Sequence, residues 1–276
     1  MEIIDGKKIG EETLYYVSEV IKKNKYEVTL AIIVVGDDYA SDIYVNKKKV
    51  SCELVGIKCV IHKLKDVTEK EVINLIKELN DNEDIDGIIL QSPLPKGIDF
   101  NKCISYLDPK KDIDGVTKES VYNNYMNLPG LLPCTVKGII KIFDYYDIDL
   151  TGKNVCIVGR SNLVGKPLFH ALENRGATVS LCHSKTDFIG TYTERADIIV
   201  MACGIPELLK GYMVNEGVIV IDVGINRTNN GMCGDVDFES VSQKASFITP
   251  VPGGVGPMTV ASIMENTLTC HIERRK

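Results

Sequence analysis

Apolar and polar positions alternate between two periods along this chain. Residues 7–24 place Ile9, Leu14, Val17, Val20 and Ile21 at the spacing of one helical face. Residues 29–35 are a continuous apolar run closed by Gly36, the pattern of a strand buried on both faces. A helix over 41–55 with a cationic face (Lys47, Lys48, Lys49) and a strand over 58–64 follow. Thr68-Glu69-Lys70-Glu71 reads as a capping box that opens a periodic helix to about Asn80, and 85–90 is another buried strand. Strands alternating with helices predict a parallel sheet covered on both faces.

Residues 105–135 are rich in turn formers, including Asp108-Pro109, Asp114-Gly115, Pro129-Gly130 and Pro133. The crossing between two domains is placed there. A helix over 136–146 leads into a second run of strands, at 155–158, 178–181, 197–201, 218–223 and 247–248. The tail beyond Pro257 reads as a helix that packs back on the first domain. The expected division is residues 1–118, completed by 258–276, and residues 119–257.

A length of 276 residues suits two domains, and 44% hydrophobic residues suit packed cores. The net charge of −6, with no long run of one sign, argues against nucleic acid and anionic membrane as partners. No stretch approaches the roughly 20 apolar residues of a membrane span, and the start of the chain lacks a signal-peptide core. A cytoplasmic protein is expected. The nine cysteines are odd in number and include no C-x-x-C, so reduced thiols are expected. The four histidines show no zinc spacing, and no metal is expected.

Candidate chemistry begins at Gly159-Arg160-Ser161-Asn162-Leu163-Val164-Gly165, which follows the run Val155–Val158 directly. A strand, a glycine turn and a helix N-terminus make a phosphate site. Five residues separate Gly159 from Gly165, and Pro167 stands where a magnesium-binding hydroxyl would be, so this is no P-loop. The dinucleotide fingerprint fits imperfectly, with Ser161 in place of its second glycine. A ligand-free turn is the alternative. About 20 residues on, an NAD site would place a carboxylate. Here stand His183, Ser184, Lys185 and Thr186. With Arg160 they could bind a 2′-phosphate, which favours NADP; an ordinary solvated loop is the alternative.

Tyr44 and Lys48 lie four apart and share a helical face. A lysine that is partly desolvated beside a ring can exchange protons near neutrality, although a plain solvated face is the commoner reading. Gln91-Ser92-Pro93-Leu94-Pro95 follows the strand over 85–90, at the end where open sheets bind ligands. Asp112 and Asp114 could accept N–H groups from an aminopyrimidine edge, or could simply shape a turn.

Six motifs occur in order: Tyr44-Val-x-x-Lys48, Gln91-x-Pro-Leu-Pro95, Asp112-Ile-Asp114-Gly115, Gly159-Arg-Ser-x-x-Val-Gly-x-Pro167, Cys182-His-Ser-Lys-Thr186 and Pro250-Val-Pro-Gly-Gly-Val-Gly-Pro-Met-Thr259. Together they resemble the bifunctional methylenetetrahydrofolate dehydrogenase/methenyltetrahydrofolate cyclohydrolase family across nearly the whole chain. The resemblance implies an α/β protein of two domains, a three-layer folate domain and a Rossmann-like NADP domain, with a cleft between them. It implies NADP-dependent oxidation of 5,10-methylenetetrahydrofolate and hydrolysis of the methenyl product to 10-formyltetrahydrofolate. Lys48 would be the acid/base group, tuned by Gln91; Tyr44 would pack on the folate and Asp114 would anchor the pterin. Pro93, Pro252, Gly253 and Gly254 would line the substrate. Gly159, Arg160, Ser161, Val164, Gly165, His183, Ser184, Lys185, Thr186 and Ile225 would hold the cofactor. A homodimer acting on tetrahydrofolate derivatives is implied as well.

The chain departs from the family pattern at Ser92, Val116 and Val136, which bear on folate affinity and leave every catalytic group in place. An NAD-linked dehydrogenase, a non-catalytic nucleotide binder and a Schiff-base enzyme using Lys48 are the rivals.

Overall fold

The computed structural model describes residues 1–37, 39–229 and 231–275. In chain order its elements are β1 (Glu2–Ile3), α1 (Gly6–Asn24), β2 (Thr29–Val35), α2 (Tyr39–Val55), β3 (Lys58–Leu64), α3 (Glu69–Asp81) and β4 (Gly87–Leu90). Then come α4 (Phe100–Ile104), α5 (Lys118–Tyr125), α6 (Cys134–Tyr145), β5 (Asn154–Val158), α7 (Gly165–Glu173), β6 (Thr178–Cys182), α8 (Gly190–Thr193) and β7 (Ile198–Met201). The chain closes with β8 (Ile219–Asp222), β9 (Asn226–Thr228), β10 (Gly231–Cys233), α9 (Phe238–Ser242), β11 (Phe247–Ile248) and α10 (Val255–Arg274). These elements form two compact units.

One unit holds Glu11–Asn123, Pro129–Cys134 and Val260–Lys276 around a three-stranded parallel sheet of order β3-β2-β4. The last of these residues, Lys276, lies outside the described residues. Strand β2 is buried throughout, and its two faces feed two cores. Leu30, Ile32 and Val34 pack with Val17, Val45, Cys52, Ile263 and Leu268, from α1, α2 and α10. Ala31, Ile33 and Val35 pack with Val72, Ile76, Leu79 and Cys103, from α3 and α4. The continuous apolar run thus has its cause in a sheet sandwiched between helical layers. The box predicted at Thr68 is formed: its side chain accepts the Glu71 N–H, and Glu71 reaches back to the Thr68 N–H.

The far end of α3 is closed by a lysine. Lys111 is 1% exposed, and its Nζ donates to the carbonyls of Leu79, Asn80 and Asn82 at 2.7, 2.6 and 2.7 Å. Those carbonyls lack intrahelical partners, and a cation suits that end of the dipole. Asp86, wholly buried, ties down the end of α10 through His271 at 3.1 Å and Arg275 at 2.7 Å.

The other unit holds Met1–Gly10, Asn124–Leu128 and Thr135–Thr259. Its six strands run in the order β1-β11-β8-β7-β5-β6, all parallel, and β9 and β10 form a separate hairpin. Here the division differs from the expected one. Glu2 and Ile3 pair with Phe247 and Ile248, so the first ten residues join this unit rather than the other. A two-residue exposed strand carries no periodicity that could announce this. Helix α5 lies inside the stretch read as turns; Lys-Glu-Ser-Val-Tyr-Asn-Asn-Tyr is too polar to show an apolar stripe. No described helix is long and apolar enough to cross a membrane.

Candidate active site

In the three-stranded unit the candidate groups gather at the carboxyl ends of β2 and β4. Lys48 sits in α2 and is only 8% exposed, while its neighbours Lys47 and Lys49 are exposed. The solvated-face reading therefore applies to the neighbours and fails for Lys48. Its Nζ donates to Gln91 Oε1 at 2.8 Å. Gln91 follows β4 directly, and its own N–H donates to Ile33 O of β2 at 2.9 Å. Its side-chain Nε2 donates to Ser92 O at 2.7 Å. With the NH₂ so engaged, the amide oxygen has to face the lysine. Tyr44 is partly exposed, and the cation over its ring is Lys47, with Nζ 5.8 Å from the centroid.

Pro93 is exposed and follows a cis peptide from Ser92. Gly36, with φ +83°, ends β2 beneath this loop; a Cβ there would lie 3.1 Å from Pro95 Cγ.

The two aspartates differ in what they touch. Asp112 is wholly buried and accepts the N–H groups of Val116 at 3.1 Å and Thr117 at 2.7 Å, and the Ser120 hydroxyl at 2.7 Å. It shapes the turn. Asp114 is half-buried. Burial pushes its carboxyl above the usual carboxylate range, against the pull of the Lys48 charge and with a further push from Asp112. The loop is held from α10, where Asn266 Nδ2 donates to Ile113 O at 2.8 Å and Leu132 O at 3.1 Å. Sequence reading missed Asn266, whose partner lies 153 residues away.

In the six-stranded unit, Gly159 ends β5 with φ +125°, and a Cβ there would lie 2.0 Å from Ala202 O. A Cβ on Gly165 would lie 1.9 Å from Gly159 O. Both positions demand glycine, which explains the tight strand-to-helix turn. Helix α7 starts at Gly165 after Val164, with no side-chain cap on its N-terminus. Ser161 Oγ accepts the Val164 N–H at 3.1 Å, inside the turn. An uncapped N-terminus beneath a glycine turn fits a phosphate group.

At the end of β6, the His183 N–H donates to Thr186 Oγ1 at 2.9 Å, and His183 Nδ1 accepts the Lys185 N–H at 3.1 Å. His183 and Thr186 thus shape the loop, and Ser184 and Lys185 are left exposed, as is Arg160. Among the described residues no carboxylate pairs with Arg160 or Lys185. Ile225 is 44% exposed in the loop after β8. Pro252 is exposed, Gly253 has φ +114°, and Gly254 is buried against the start of α1, where a Cβ on Gly6 would lie 1.9 Å from Gly254 O. All nine cysteines are free thiols, and among the described residues no cluster of metal-ligating side chains occurs.

Residues 4–114 match the family described as tetrahydrofolate dehydrogenase/cyclohydrolase, catalytic domain. Residues 133–275 match its NAD(P)-binding domain. The bifunctional protein FolD of Nautilia profundicola is 47% identical, over 97% of this chain and 96% of that one. Among solved structures, the bifunctional FolD methylenetetrahydrofolate dehydrogenase/cyclohydrolase of Campylobacter jejuni superposes with a TM-score of 0.97 at 44% identity, covering 99% of each chain. The Trypanosoma brucei dehydrogenase-cyclohydrolase, crystallised with NADP and an inhibitor, gives 0.94 at 30% identity over 99% of this chain and 98% of that one. The chain therefore belongs to the tetrahydrofolate dehydrogenase/cyclohydrolase family.

Proposed function

We propose that this enzyme oxidises 5,10-methylenetetrahydrofolate with NADP⁺ and hydrolyses the resulting 5,10-methenyl cation to 10-formyltetrahydrofolate. The observation that carries the reading is the buried Lys48 amine held by Gln91, with the Asp114 carboxyl within its electrostatic reach.

The cofactor supplies a hydride acceptor when bound; the protein's part is to hold it and to position the folate. The glycine turn and the α7 N-terminus would take the pyrophosphate, and Arg160, Ser184 and Lys185 the 2′-phosphate. The absence of a carboxylate in the 183–186 loop favours NADP over NAD. Asp114 would accept N–H groups from the aminopyrimidine edge of the folate, and Tyr44 would pack against its ring.

Hydrolysis is a problem of moving protons. Water adds through oxygen to the methenyl carbon, the bond from that carbon to N5 breaks, one proton ends on N5 and one is released. Lys48 Nζ would take a proton from the attacking water and deliver one to N5, with Gln91 Oε1 fixing where Nζ sits. A charged Lys48 would also repel the cationic intermediate, so its protonation state bears on the rate. A homodimer and a cytoplasmic location rest on family membership, and the oligomeric state is read by light scattering.

The test mixes the enzyme with 5,10-methylenetetrahydrofolate and either NADP⁺ or NAD⁺, following reduced nicotinamide and methenyl absorbance separately. Reduction with NADP⁺ and methenyl decay faster than the spontaneous rate are expected. Accumulating methenyl would leave a dehydrogenase alone, and no reduction with either cofactor would overturn the reading.

A further inference from the structure

Two carboxylates are buried at the carboxyl edge of the six-stranded sheet, behind the Ile225 loop. Asp235 is 0% exposed and Asp222 is 4% exposed. Asp235 Oδ2 accepts the N–H groups of Cys203 at 2.7 Å and Gly204 at 2.9 Å. Its Oδ1 accepts Asn226 Nδ2 at 2.8 Å. Asp222 Oδ1 accepts the N–H groups of Gly224 at 2.9 Å and Asp235 at 3.0 Å, and Oδ2 accepts that of Val236 at 3.0 Å. The glycines exist to admit these groups. A Cβ on Gly224 would lie 2.2 Å from Asp235 Oδ1, and one on Gly234 would lie 1.8 Å from Asp222 Oδ2.

The loops so clamped are those that a dinucleotide has to meet. Cys203 and Gly204 follow β7, and Ile225 follows β8 between the clamped Gly224 and Asn226. Strand order reverses at β5, with β6 on one side and β7 and β8 on the other. A dinucleotide bound at such a switch point puts its adenosine over the second strand and its other half over the strands across the crevice. The glycine turn rests on Ala202, which the sheet itself holds through its N–H to Val158 O at 2.8 Å, so that half of the site does not depend on Asp235. Burying two carboxylates is costly unless each is satisfied. A core that needed only stability would be better served by apolar residues at both positions.

We propose that Asp235, supported by Asp222 and Asn226, is a positioning residue for the half of the cofactor beyond the pyrophosphate: it fixes the Cys203–Gly204 turn and the Ile225 loop in the places from which they hold it. The proposal rests on the dinucleotide reading of the previous subsection.

The test is Asp235→Asn, read by calorimetric binding of NADP⁺ and of adenosine 2′,5′-bisphosphate, which carries only the half read by the Gly159 turn and the Ser184 loop. Hydrolysis of methenyltetrahydrofolate without NADP⁺ is the third readout. The NADP⁺ Kd is expected to rise about tenfold or more, a loss in line with breaking charge-assisted hydrogen bonds. The bisphosphate Kd and the hydrolysis rate are expected to stay within about twofold of wild type. Equal weakening of both ligands, or of neither, would overturn the proposal. If Asp235→Asn does not fold, Asn226→Ala decides on the same three readouts, with a smaller loss confined to NADP⁺. Wild-type enzyme that bound neither ligand would instead overturn the dinucleotide reading and the proposal with it.

Discussion

Lys48 Nζ lies 2.8 Å from Gln91 Oε1, joining the α2 helix to the end of β4 by one hydrogen bond across 43 positions of sequence. Because the Gln91 NH₂ is committed to Ser92 O, the lysine meets an acceptor that cannot turn away without losing a second bond.

Replacing Gln91 tests that arrangement. Gln91→Leu would leave a nearly buried ammonium group without this partner, a loss of about 1.5–3 kcal/mol for a hydrogen bond to a charged group. Hydrolysis of the methenyl cation is expected to slow by at least about tenfold. Gln91→Glu keeps the length but sets a carboxylate beside Nζ, which holds its proton, so it too should be slow. Stopped-flow decay of methenyl absorbance measures both.

Asp114 carries a pH signature. Its carboxyl titrates above the ordinary carboxylate range because it is buried. In the folded protein it therefore binds a proton more readily than in the unfolded chain, and stability falls as pH rises through that range. Two outcomes follow for Asp114→Asn. The variant should be at least as stable as wild type at pH 7 by urea unfolding, and its folate affinity should be lower. Wild-type affinity for a folate analogue should fall on acidification before ordinary carboxylates protonate, because the neutral acid loses an acceptor, and the variant should lack that limb.

Lys111 acts on stability alone. Lys111→Met would strip the Leu79 and Asn80 carbonyls at the end of α3 of their donor, while Asn82 O keeps the Ile85 N–H. A cost of about 2–4 kcal/mol is expected, from unsatisfied buried acceptors. Urea unfolding at pH 7 measures it, and the NADP⁺ Kd should not change.

How far the chain could be read depended on where each signal resides. Strands β2 and β4 were legible because a strand buried on both faces must be apolar throughout. The α3 cap was legible because its partners are three residues apart. Lys48 and Gln91 could be named from motif and position, and the fold adds that Lys48 is buried while Lys47 and Lys49 are exposed. Likewise Asp112 and Asp114 look alike in sequence, and only the fold shows that turn amides claim Asp112. Strand β1, the Lys111 cap, Asn266 and the Asp222–Asp235 pair were not legible. Each finds its meaning in backbone groups that tertiary folding brings near, and such partners leave no period and no local motif.

The central claim is that one lysine carries hydrolysis while the rest of the machinery carries hydride transfer. Lys48→Met keeps the apolar length of the side chain and removes the amine. The most direct measurement follows both steps in one reaction of this variant with 5,10-methylenetetrahydrofolate and NADP⁺. The account predicts that NADPH still forms and that methenyltetrahydrofolate accumulates, decaying no faster than it does without enzyme. Methenyl decay at the wild-type rate, with an unchanged pH profile, would contradict it.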